Sequence, residues 1–248
     1  SWQVFANPVT LFVGGVTAVL LELAEPRVRE GVWRHSQFPQ EPLARLQRTG
    51  LAAMVTVYGP ASQAREMIAG INRRHAQVAG TTPEGLSYRA DDPELLVWVQ
   101  ATAAFGFLEA YARYARPLPR AQRDAYYAEG APVARLYGAA AAPTSQRAFD
   151  DLLTRTTPRL QPSPVLTEFL EIMRRVPALP AAARPLQWAL VRAAVSLLPP
   201  TLVTQLQLRK WRLRPWEEPA VRLAAALAER VRIEAWPHHA ARRRLGLP

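Results

Sequence analysis

An all-α fold is predicted by three observations. Apolar residues recur at three- and four-residue spacing along most of the chain, alternating β patterns are scarce, and prolines mark the joints between apolar runs. Hydrophobic residues make up 49% and charged residues 21%, the balance of an ordinary globular chain with enough apolar surface for a sizeable core. At 248 residues the chain has room for one large domain or two small ones. No Gly/Ser-rich linker divides it, and the Pro-rich joints at 157–164 and 178–185 suit tight interhelical turns, so one domain over 1–248 is expected.

The first element lies in "FANPVTLFVGGVTAVLL", residues 5–21, which is uncharged but interrupted by Pro8 and the Gly14-Gly15 pair. It is short for a bilayer span of about 20 apolar residues and lacks the basic start and cleavage site of a signal peptide. A buried helix over 10–24 is expected, with peripheral membrane contact as the alternative. "PLARLQRTGLAAMVTVYGP" gives a second helix over 40–58, closed by Gly59-Pro60, and a third follows over 61–78.

The best-marked helix is "DDPELLVWVQATAAFGFLEAYARYARP", expected over 93–115. Asp92 is its N-cap, Pro93 takes the first helical position, Glu94 lies in the first turn and Pro117 follows its end. It is apolar on nearly every face, which predicts a central core helix. Further helices are expected over 119–138, 145–156, 163–175, 181–197 and 217–232, and none repeats another.

Composition removes several chemistries. With no cysteine there are no disulfides, thiolate zinc sites, iron–sulfur clusters or cysteine nucleophiles. The net charge of +11 comes almost wholly from arginine, since Lys210 is the single lysine. These arginines are scattered and cluster only in "HHAARRRLG", with no recognition-helix, RNP-like or zinc-finger pattern, so no nucleic-acid partner is expected. Catalytic G-x-S-x-G, Walker-A, G-x-G-x-x-G and H-E-x-x-H motifs are absent. His238 and His239 are adjacent, project about 100° apart on a helix and are expected at the surface rather than on a shared metal.

Of His35 and His75, His75 is the better placed. On a helix its face carries Ile68, Ile71 and Val78, while Arg73 and Arg74 point elsewhere. Periodicity alone leaves two readings open, a core histidine bonded to a carbonyl or a ligand. One helix upstream, Arg45, Arg48 and Thr49 lie at i, i+3 and i+4 and form a polar stripe on an otherwise apolar helix. Thr49 and His75 stand 26 positions apart across the Gly59-Pro60 turn, which lets two antiparallel helices present the stripe and the histidine to a common space.

Several motifs in order resemble one family. "LLELAEPRVREGVWRHSQF", "PLARLQRTG", "HAQVAGTTPEGLSYRADDPELLVWVQAT" and "DAYYAEGAPVARLYG", with "SLLPP" near residue 200, are similar to the rubber oxygenase (latex-clearing protein) and ER-bound oxygenase MpaB. The resemblance implies an all-α domain with a globin-like helical core, haem b as cofactor, and oxidative cleavage of a hydrophobic, isoprenoid-type substrate by dioxygen. It implies His75 as proximal ligand to the haem iron, with Arg45 and Thr49 as distal catalytic residues. Arg48 and Arg74 are assigned as cofactor-binding charges, Arg48 standing where the rubber oxygenase has a lysine.

These roles agree with the residue types. Neutral imidazole ligates iron, a distal arginine or hydroxyl polarises dioxygen, and arginines pair with carboxylates such as haem propionates. The expected location is the cytoplasm, with contact at a membrane surface as the alternative. The competing function is a haem-free helical protein that binds a lipid or hydrophobic metabolite. It is suggested by Glu25 and Gln100, which stand where several relatives have histidine.

Overall fold

The computed structural model describes residues 1–36, 38, 40–230 and 236–247. In chain order its elements are α1 (Trp2–Phe5), α2 (Pro8–Ala24), α3 (Pro26–His35), α4 (Pro42–Tyr58), α5 (Ala61–His75), the strands β1 (Ala79–Thr81) and β2 (Ser87–Arg89), and α6 (Pro93–Tyr114). They continue with α7 (Arg120–Leu136), α8 (Gln146–Thr156), α9 (Pro164–Arg175), α10 (Arg184–Val195), α11 (Pro200–Gln205), α12 (Glu218–Arg230) and α13 (Pro237–Arg244). The fold is all-α apart from one small hairpin.

Two helices form its axis. Asn7 accepts from the N–H groups of Val9 and Thr10, so α2 starts at Pro8, two residues before its apolar periodicity begins. Asp92 caps α6 in the same way, with Pro93 at the first position as its sequence predicts. The two helices cross at their glycines. A Cβ on Gly14 would fall 2.7 Å from the Phe107 Cα, and one on Gly106 would strike the Gly14 carbonyl. The Gly14-Gly15 pair therefore does not break α2; it lets two backbones touch.

Around this seam Leu20, Leu21, Trp98 and Leu108 are fully enclosed, and the Trp98 indole donates to the Leu21 carbonyl at 3.2 Å. The outer helices are tied to α2 by buried polar bonds. Asn7 Nδ2 donates to the Ala225 carbonyl of α12 at 2.9 Å, and Thr17 Oγ1 to the Ala194 carbonyl of α10 at 3.1 Å. α6 is long and apolar enough to cross a membrane, yet more than half of it lies inside the fold, as a core helix requires.

Departures from the expected elements are local. Glu25 turns the chain through 108° between α2 and α3, a helix that periodicity did not indicate. Its buried carboxylate accepts from the Val28 N–H at 3.0 Å and from Arg27 Nε at 2.8 Å, so Glu25 serves as an N-cap. The helix expected over 61–78 ends at His75, because the chain must turn into the β1–β2 hairpin, which pairs Gly80 with Tyr88. Val78 therefore does not share a helical face with His75. The segment 181–197 divides into a short 3-10 turn and α10, which ends at Val195. Of the helix expected over 217–232, residues 218–230 are helical and 231–232 lie outside the described residues. α1, α11 and α13 were also not indicated by the periodicity.

Candidate functional site

His75 is the last residue of α5. There the Ala76 N–H still reaches the Asn72 carbonyl at 3.0 Å, and the Val78 N–H closes a turn on the His75 carbonyl, also at 3.0 Å. The ring is half-buried. Nδ1 is enclosed without a partner, and Nε2 makes no hydrogen bond, among the described residues. Burial, then the charges of Arg45 and Arg74, lower the pKa of His75, against a smaller opposing pull from Asp91. The ring is therefore neutral at pH 7, with an unengaged Nε2, the form in which imidazole binds a metal.

Asn72 stands three residues earlier on the same helix, and i, i+3 side chains are neighbours. Its Nδ2 donates to the Leu136 carbonyl of α7 at 2.8 Å, while its Oδ1 is buried and unpartnered. Two enclosed atoms of complementary type thus lie one helical turn apart. A bond from the His75 Nδ1–H to Asn72 Oδ1 would satisfy both atoms and fix the tautomer that leaves Nε2 as acceptor.

From α4, Arg45 faces this histidine. Burial lowers the guanidinium pKa, with Glu22 opposing and Arg48 adding to the fall, but arginine remains charged. Glu22, on α2, is the third member of the group. Its side chain is half-buried, and burial pushes its pKa up to about 7, with Arg45 and the Thr102 hydroxyl of α6 only partly offsetting this. Arg45 thus feels both a half-protonated carboxyl and a neutral imidazole. It forms a direct ion pair with neither among the described residues.

Of the residues expected here, Arg45 and His75 are brought together from two helices, and Arg74 acts on His75 as its chain neighbour. Arg48 and Thr49 lie on exposed positions of α4, with Arg48 close enough to act on Arg45. Glu22, Thr102 and Asn72 were not anticipated. Glu22 carries a usable signal, a lone carboxylate inside the apolar run "LLELA".

The three other histidines have structural surroundings. His35 Nε2 lies 3.1 Å from the Tyr88 hydroxyl and fastens α3 to the hairpin. His238 and His239, expected at the surface, are half-buried, with ring centroids 4.0 Å apart and planes tilted by 42°, and His238 lies against Tyr58. No group of three or more His, Asp or Glu side chains able to hold a bare metal ion occurs among the described residues. A haem iron asks less of the protein, since one axial nitrogen suffices, and His75 fits that demand.

α4 itself is built to face something apolar. It carries Leu43, Leu46, Ala53, Met54 and Val57, all packed against the core, yet only Tyr58 of its residues is fully buried. Beside its N-terminal end a groove of about 750 Å³ opens toward α9, with a mixed lining in which Leu43, Ile172 and Val176 alternate with Glu41, Glu168 and Arg175.

The pattern described as "ER-bound oxygenase mpaB/B'/Rubber oxygenase, catalytic domain" matches residues 2–233. Uncharacterised proteins of Mycobacterium bovis and Mycobacterium tuberculosis are each 27% identical over 168 residues, 65% of this chain and 66% of theirs. No solved structure matches the chain. With nearly its whole length matched by that pattern, the chain belongs to the family of the MpaB and rubber oxygenase catalytic domain.

Proposed function

We propose that the chain is a haem b-dependent oxygenase acting with dioxygen on a hydrophobic substrate of isoprenoid type, with His75 as the ligand to iron. The observation that supports this most is His75 itself, neutral at pH 7, with an unbonded Nε2 among the described residues and within reach of the Arg45 charge, in a chain of an oxygenase family. Haem would supply the oxygen chemistry when bound.

The protein's own residues supply the rest. His75 stays unprotonated because burial and two arginines oppose a third positive charge. Arg45 offers N–H donors and a permanent charge to dioxygen or to an oxygen developing on the substrate. Glu22, poised near pH 7 beside Arg45, can accept or return a proton. Thr49 offers a hydroxyl from the same face of α4, and Arg48 and Arg74 are charges suited to carboxylates of the cofactor. The apolar side of α4 keeps water out and receives the substrate.

The test is an absorption spectrum of protein produced with ample haem precursor. A Soret band is expected for the unaltered chain and is expected to be lost in His75→Ala. Haem-replete protein without a Soret band, or an unchanged band in His75→Ala, overturns the assignment.

The groove beside α4 favours a second reading, a haem-free binding protein for a lipid or hydrophobic metabolite, since its volume is that of an ordinary small-molecule site. Native mass spectrometry separates the two. Haem without lipid supports the oxygenase, and lipid without haem supports the binder. A cytoplasmic protein with peripheral membrane contact is part of the same proposal, supported by exposed Leu223 and Leu227 one turn apart on α12 and by Trp216 before it.

A further inference from the structure

A second cavity, of about 240 Å³, shares no residue with the His75 site. It is enclosed by Glu171 and Arg174 of α9, Trp188 and Arg192 of α10, and Lys210 and Trp211 of the 3-10 turn Arg209–Trp211. Its chemistry is one-sided. Arg174 gives Nε and Nη2 to Glu171 Oε2 at 3.0 and 2.7 Å, which leaves Nη1, and its guanidinium lies over the Trp188 ring at 5.1 Å. Arg192 uses Nη1 on Glu217 at 2.6 Å, which leaves Nε and Nη2. Lys210 has no carboxylate partner among the described residues. The Trp211 indole N–H is buried beside the cavity without an acceptor.

Against these donors stands one acceptor, Glu171, already shared between Arg174 and Arg175. A cation entering here would meet three positive side chains. A neutral apolar ligand would shield those charges from water and still leave the indole N–H unmet. Only a ligand that brings acceptors and negative charge satisfies every group. We propose that this cavity is a binding site for a phosphate-type oxyanion, with Lys210, Arg174 and Arg192 supplying charge and the Trp211 N–H supplying a directed donor.

The single lysine makes the test direct. Lys210 is acetylated with an amine-reactive ester, and its modification is followed by peptide mass spectrometry against the N-terminal amine. Inorganic phosphate in the millimolar range is expected to protect Lys210 and not the terminal amine, with chloride at matched ionic strength giving no protection. Trp211→Phe keeps the ring and removes the donor, and is expected to raise the half-protecting phosphate concentration about tenfold. Glu171→Gln removes the negative wall and is expected to lower it.

Phosphate is also expected to raise the melting temperature of the unaltered chain and not that of Trp211→Phe. Without phosphate, Trp211→Phe is expected to lose some stability, because the phenyl ring leaves part of the packed indole volume empty, so the readout is the shift on adding phosphate and not the starting melting temperature. A parallel arm offers phosphatidylcholine vesicles with and without phosphatidate. Protection by dissolved phosphate assigns the site to a small phosphorylated ligand, and protection by phosphatidate vesicles alone assigns it to a lipid headgroup. Protection by neither, or by chloride equally, overturns the proposal, as does a Trp211→Phe variant that binds phosphate like its parent.

Discussion

Glu22 and His75 pull the acid–base behaviour of the molecule in opposite directions. Burial raises Glu22 from 4.5 to about 7, so between those values the folded chain holds a proton that the unfolded chain has released. Its contribution to stability is therefore present at low pH and declines as pH rises through that window. His75 is lowered, so its contribution is present above the ordinary histidine range and is lost as pH falls below it. Glu22→Gln should be nearly neutral at pH 5 and stabilising at pH 8, by at most about 3 kcal/mol. Denaturant unfolding at the two pH values checks this, and an equal effect at both would refute it. His75 and Arg45 were legible in the sequence because spacing along two helices aligns them. Glu22 and Asn72 were not, because their importance comes from α6 and α7, distant in the chain, closing around them.

At the scale of elements, the α2–α6 crossing sets the core. Gly106→Ala should destabilise the fold by about 1–3 kcal/mol, since the new methyl meets the Gly14 carbonyl and the Ala18 backbone rather than flexible side chains. Gly15→Ala is the control. Its methyl would meet only Phe107 Cε1, at 3.9 Å, so the change should be tolerated and helix propensity should add up to about 1 kcal/mol. Thermal melts of the two variants report the difference. The same pair shows where sequence reading stops. α6 was legible because Asp92, Pro93 and an all-round apolar surface are local signals. The glycines look like a helix break until their partner across the seam is known. α3 escaped notice because "PRVREGVWRH" is short and polar, and what holds it in place is the Glu25 cap, the packing of Val28 and Gly31, and the His35–Tyr88 bond to the hairpin.

Across the whole molecule, α4 is held unevenly. At its C-terminal end Trp2 Nε1 donates to the Val57 carbonyl at 3.0 Å and the Tyr58 hydroxyl to the Trp2 carbonyl at 2.6 Å. From α13, Arg244 Nη2 donates to the Tyr58 carbonyl at 2.7 Å. Toward the other end, Gln47–Leu51 are exposed, and no side chain there bonds to another element among the described residues. Amide hydrogen exchange should therefore be faster over 47–51 than over 53–57, and uniform protection along α4 would contradict this. That asymmetry makes Tyr58 the bonded clamp of α4, while Leu43 and Leu46 hold its other end by apolar packing alone. With a rise of about 1.5 Å per residue, Arg45 stands about 20 Å from that clamp, so each degree of tilt there would carry its guanidinium about a third of an ångström. The contacts of α1 and α13 with Tyr58 are thus a lever on the spacing between Arg45 and His75, worked from the opposite end of the helix.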